Sequence, residues 1–172
     1  MNIVLVGYMG SGKSVVGKNL SESLDYVFVD LDNYVETQEN STIPEIFETK
    51  GEIYFRKMEH VYLQTLLKRN NLILSLGGGT PCYGGNMDLI LQDENVQSIY
   101  LKCSIPTLVK RLKTEKSTRP LISHLQTDEA LTEFIGKHLF ERSFFYSQSH
   151  HVILTDDKPV THITQEIMAT LF

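Results

Sequence analysis

The chain has 172 residues, of which 41% are apolar and 22% charged, with a net charge of −5. These totals fit one soluble domain around a single core. The negative balance argues against a nucleic-acid binder while leaving room for a small anionic ligand, which needs only a few placed cations. No apolar run approaches the roughly 20 residues that span a bilayer. The opening MNIVLVGYMG lacks the basic and long apolar regions of a signal peptide, so a cytoplasmic protein with no membrane partner is expected. Cys82 and Cys103 have neither metal-ligand spacing nor a redox motif and read as free buried thiols.

Taken in chain order, short apolar runs alternate with helical patterns. Strands are expected at Asn2–Val6, Val27–Asp30, Leu72–Leu76, Val96–Leu101 and Val152–Leu154. Several are near-continuous β-branched runs, as in parallel strands buried on both faces. Between them, Ser14–Leu24 places Val16, Leu20 and Leu24 on one stripe, and Thr42 with Glu45 forms a capping box. Glu52–Arg69 is amphipathic through Phe55, Met58, Tyr62 and Leu66. Ser104 and Pro106 announce a helix through Leu112, and Asp128–Ser147 and Val160–Leu171 complete the set. The alternation implies an α/β sandwich around a parallel sheet, 1–172 forming one domain. Lys113 to Thr127 is polar, aperiodic and carries a proline; a mobile lid over 113–127 is the sharper expectation, a plain surface excursion the alternative.

GYMGSGKS, Gly7 to Ser14, fits G-x-x-x-x-G-K-[ST] between a strand and a helix, the context the motif requires. Consecutive backbone N–H groups at a helix N-terminus hold phosphate oxygens. Lys13 would bridge the β- and γ-phosphates and Ser14 would ligate magnesium, so a nucleoside triphosphate, ATP, is the expected ligand. A regulatory GTPase would need N-K-x-D, which is absent, and the strand ending Leu72–Leu76 continues into Gly77-Gly78-Gly79 where motor ATPases carry an acid. FVDLD ends the second strand; residues two apart on a strand point the same way, so Asp30 and Asp32 should project side by side. One could serve the magnesium shell and the other an acceptor hydroxyl; the bland alternative is an N-cap plus a solvated acid. Arg56 and Glu59 lie three apart on a helix, which alone suggests a surface ion pair. Arg119 and Arg142 are further candidate cations for a phosphoryl-transfer site. The six histidines show no zinc spacing, and His150 and His151 receive no role.

In order, Gly7-x-x-Gly10-x-Gly12-Lys13-Ser14, Asp30-x-Asp32, Phe55-Arg56, Gly77-Gly78-Gly79, Arg119-Pro120 and Arg142 with Tyr146 resemble shikimate kinase across most of the chain. The resemblance implies an NMP-kinase-like fold with a five-stranded parallel sheet in order 2-3-1-4-5, an acceptor-binding region at 33–62, and transfer of the ATP γ-phosphoryl group to the 3-hydroxyl of shikimate. It implies that Asp32 hydrogen-bonds the shikimate hydroxyls and assists deprotonation, that Arg56 and Arg142 bind its carboxylate, and that Gly78 and Gly79 add backbone contacts. Asp30 would reach Mg2+ through water, and Ser14 directly. Gly10, Ser11, Gly12, Lys13, Ser14 and Val15 would surround the phosphates, Arg119 would swing in with the lid, and Arg111 would stack on adenine. A monomer with ATP and shikimate as its small-molecule partners is expected. The chain departs from the family's R-x-P-L-Y at Arg142-Ser-Phe-Phe-Tyr146, and Thr155 to Pro159 is too variable for roles to be transferred. Competing readings are gluconate kinase, adenylate kinase (which lacks support because a DGFPR-type stretch is missing) and a nucleotide-binding module without catalysis.

Overall fold

The computed structural model describes residues 1–172. Strands β1 (Asn2–Val6), β2 (Val27–Asp30), β3 (Leu72–Ser75), β4 (Val96–Lys102) and β5 (His151–Leu154) form one sheet. Its order is β2-β3-β1-β4-β5 and every pairing is parallel. This is the expected α/β architecture, with strand ends shifted by a residue at most.

The central strands are apolar throughout because both faces are covered. Ile3, Leu5, Ile73, Ile99, Leu101 and Ile153 point to one side. There they meet Val16 and Leu20 of α1 (Lys13–Leu24) and Ile163 and Ile167 of α7 (Val160–Leu171). Val4, Val6, Leu72, Leu74 and Tyr100 point to the other. They pack on α3 (Ile43–Leu67), α5 (Ile105–Leu112) and α6 (Asp128–Tyr146). Each fully buried aliphatic side chain contributes about 1.5–3 kcal/mol. Gly17 lets α1 lie close to the sheet: a Cβ there would collide with the Phe28 ring. Asn2, fully buried, donates to the Leu67 and Arg69 carbonyls and accepts from the Leu72 N–H, fixing where α3 hands over to β3.

Two helices were not anticipated. Helix α2 (Leu31–Glu39) begins immediately after β2, and α4 (Asn86–Gln92) is too short to display a period. The capping box at Thr42 and Glu45 is present, but the helix it opens does not end before Glu52. Instead α3 runs through a break at Gly51, where φ 86° and ψ 168° leave the helical region. Between α5 and α6, 113–127 forms a 3-10 turn at Lys116–Thr118 and further turns. Ile122 is fully buried there, anchoring the segment to the core.

Candidate functional site

The carboxyl ends of β1, β2 and β3 open on a cleft of about 440 Å³, the place where ligands bind in parallel α/β sheets. Its floor is the β1–α1 loop. Gly10 (φ 78°) and Gly12 (φ 97°) adopt the left-handed conformation that curls successive N–H groups inward. Lys13 donates to the carbonyls of Gly7 (2.7 Å) and Tyr8 (3.0 Å). Burial lowers its pKa to about 8, against the pull of Asp32 and Asp30. Ser11 Oγ is buried without a partner inside the cradle. Val15, Ser14, Arg111 and Arg119 line the same cleft. Arg111 donates to the Gly10 carbonyl (3.0 Å), and Arg119 pairs with Glu115 (2.6 Å).

Asp30 and Asp32 both reach this cleft, but the expected strand alternation is not the reason. β2 ends at Asp30, whose carboxylate caps α2 by accepting from the Asn33 N–H (3.1 Å). Asp32 lies in the first turn of that helix. The N-cap, offered as the bland alternative for this pair, is thus real, and it turns Asp30 toward Ser14, whose Oγ donates to Asp30 Oδ2 at 3.4 Å. These two hard oxygens suit a Mg2+ ion, which takes few protein ligands and completes its shell with water and phosphate oxygens. Burial, then the charges of Asp30 and Glu59, raise the Asp32 pKa to about 6. It therefore remains ionised at neutral pH yet basic enough to accept a hydrogen bond strongly.

The three glycines after β3 form the adjoining wall. None has a positive φ, so conformational freedom does not explain them. Space does. A Cβ on Gly77 would meet Asp32 Oδ1 at 2.7 Å, one on Gly78 would meet an Arg142 guanidinium nitrogen at 3.0 Å, and one on Gly79 would meet Arg56 at 2.9 Å. Successive glycines thus face the three side chains expected to hold an acceptor. The Gly78 carbonyl accepts from the Tyr146 hydroxyl at 2.5 Å, tying the wall to α6. Burial raises the Tyr146 pKa, so it stays a donor.

Arg56 and Glu59 are not a surface pair. Glu59 is 1% exposed; it accepts from Arg56 (2.9 Å) and from Thr80 Oγ1 (2.7 Å). The Arg56 guanidinium lies 4.0 Å from the centre of the Tyr83 ring, and its buried Nε makes no hydrogen bond but lies 3.8 Å from the Glu52 carboxylate. Thr80 and Tyr83 were missed: their places directly after the glycine wall are the only signal the sequence carries. Arg142 makes no ion pair and sits 5.8 Å from the Tyr8 ring. Lys158, for which no role was transferred, also lines the cleft and pairs with Glu166 at 2.6 Å. Its neighbour Asp156 accepts from the Ser104 N–H and Oγ, capping α5. His150 bonds Ser98, and His151 bonds Gln97, both on β4.

A family model described as shikimate kinase matches residues 9–172. A shikimate kinase of Flavobacterium psychrophilum is 51% identical over 171 residues, covering 99% of this chain and 98% of that protein. The crystal structure of the Bacteroides thetaiotaomicron shikimate kinase superposes with a TM-score of 0.91 at 31% identity, over 99% of this chain and 98% of the other. The Acinetobacter baumannii shikimate kinase, solved in complex with shikimate, gives 0.85 at 33% identity over 99% and 92%. With the phosphate cradle, the paired acids and Gly77 and Gly78 of the glycine wall in one cleft, the chain belongs to the shikimate kinase family.

Proposed function

We infer that this chain uses ATP to phosphorylate the 3-hydroxyl of shikimate, releasing shikimate 3-phosphate and ADP. The observation that carries the reading is the glycine wall, whose three positions face Asp32, Arg142 and Arg56 beside the phosphate cradle. A small hydroxylated carboxylate fits there: two guanidinium groups for its carboxylate, one carboxylate for its hydroxyls. The N–H groups of Gly78 and Gly79, which have no backbone acceptor, are available to the same ligand. The Acinetobacter baumannii structure with shikimate supports this choice.

In the reaction, Lys13 would leave the Gly7 and Tyr8 carbonyls for the β- and γ-phosphates. Asp32 would accept the hydrogen of the attacking hydroxyl and hold the oxygen in line; in a loose phosphoryl transfer that positioning does most of the work. Arg119, carried by 113–127 acting as a lid, would exchange Glu115 for phosphate. Arg111 would lie against adenine at the other end of the cleft. Ser14, and Asp30 through water, would hold Mg2+, which when bound neutralises charge on the β- and γ-phosphoryl oxygens. Residues 33–62 would form the acceptor-binding region. The roles assigned above call for no second subunit, and the form proposed is a cytoplasmic monomer.

The test is ADP release with ATP and Mg2+, using shikimate, gluconate or no acceptor. Turnover with shikimate alone is expected. Equal turnover of shikimate and gluconate would overturn the assignment.

A further inference from the structure

Arg56 owes its position to more than its ion pairs with Glu52 and Glu59. It is the fifth residue after the break at Gly51, so its location depends on the direction in which the second arm of α3 leaves that break. One side chain outside the cleft grips both sides of the break. Glu39, at the last position of α2, is only 6% exposed at its carboxylate-bearing side chain. Its Oε2 accepts from Lys50 (3.1 Å), the residue just before Gly51, and from the Tyr54 hydroxyl (2.8 Å), just after it. Its Oε1 accepts from the Tyr62 hydroxyl (2.6 Å), two turns further along the arm. Tyr62 in turn packs edge-on against Tyr34 of α2, ring centres 5.7 Å apart, and Lys50 lies 4.6 Å from the Tyr54 ring centre. A glycine break with φ 86° is open to neighbouring angles; three bonds converging on one carboxylate select a single one.

We propose that Glu39 is a positioning residue for the acceptor: by joining Lys50, Tyr54 and Tyr62 it sets the angle of α3 at Gly51 and thereby places Arg56 against Gly79 and Tyr83. The proposal rests on the reading of Arg56 as a carboxylate-binding group. Nothing in it concerns the phosphate cradle, which stands on α1 and β1, so its loss should be felt by one substrate only. Charge-assisted bonds to a largely enclosed carboxylate are among the stronger side-chain contacts, and a displaced guanidinium loses part of the bond it would make to the acceptor carboxylate.

Glu39→Ala and Tyr62→Phe are compared with wild type for both substrates. Glu39→Ala should raise the shikimate KM about tenfold, with kcat and the ATP KM within about twofold. Tyr62→Phe, which removes one of the three bonds, should give a smaller rise in the same constant. Ile167→Val, a truncation in the opposite core layer, supplies a variant of lowered melting temperature with unchanged constants. If Glu39→Ala lowers the melting temperature but leaves the shikimate KM at the wild-type value, Glu39 is structural only and the inference fails. If kcat and both KM values change together, the positional account fails as well. Should Glu39→Ala not fold, Tyr62→Phe decides by the same criterion. Wild-type turnover of shikimate is read first: its absence overturns the functional reading and this inference together, whereas an active wild type with an unaltered variant KM overturns only the inference.

Discussion

Replacing Gly79 by alanine is the sharpest probe of the acceptor wall. Gly79 has φ −88° and ψ −18°, angles at which alanine is at ease, so the backbone gives no reason for instability. The added Cβ would lie 2.9 and 3.2 Å from the two terminal nitrogens of Arg56 and 3.4 Å from Cζ. Ordinary contact begins near 3.4 Å, so the guanidinium must retreat by about half an ångström. It has little freedom to do so, held by Glu59 on one side and facing Tyr83 on another. Loss of one charge-assisted bond to the acceptor costs about 1.5–3 kcal/mol, or roughly ten- to a hundredfold in affinity. Coupled ADP-release assays with shikimate varied at saturating ATP should therefore show the shikimate KM rising by that factor and the ATP KM unchanged, with a modest fall in melting temperature as the Arg56–Glu59 pair is displaced. An unaltered shikimate KM would show that the wall does not face the acceptor.

Lys13→Ala and Arg56→Ala should separate the two halves of the cleft. The first is expected to lower kcat by about a hundredfold or more with little effect on the shikimate KM. The second should raise that KM and also lower the melting temperature, because it strands the buried carboxylate of Glu59; steady-state kinetics and thermal unfolding check both. Burial and the nearby Arg142 hold the pKa of His138 below its usual 6.5, while its ring is hydrogen-bonded to Tyr8 at 2.9 Å. A depressed histidine binds its proton later in the folded state, so its contribution is present above about 6.5 and lost as pH falls through that value toward the folded pKa. His138→Gln should accordingly flatten the decline in melting temperature between pH 7.5 and 5; an unchanged slope would refute the link.

What was legible in the sequence is what is encoded locally. The phosphate cradle is a contiguous string whose neighbours are a β-branched run and a helix, and buried parallel strands announce themselves by unbroken apolar residues. Asp30 and Asp32 were placed in the right cleft for a wrong reason, since a two-residue spacing cannot say that the strand stops between them and a helix begins. The Arg56–Glu59 pair misled because exposure is a tertiary property: only the fold brings Thr80 and Tyr83 over it. The glycine triplet reads in the sequence as a bare backbone wall that leaves room for an acceptor, but not as one against which protein side chains already press. The reason lies in the tips of three side chains from α2, α3 and α6, separated from it by tens of residues.

The folded-back Lys13 has a thermodynamic corollary. Its ammonium is partly withdrawn from water and rests on two backbone carbonyls, and burial lowers its pKa to about 8. Part of the dehydration of that cation is therefore a cost of folding rather than of nucleotide capture. An arriving phosphate exchanges one set of oxygens for another and meets a cation already partly removed from solvent, where attraction between charges is stronger than in water.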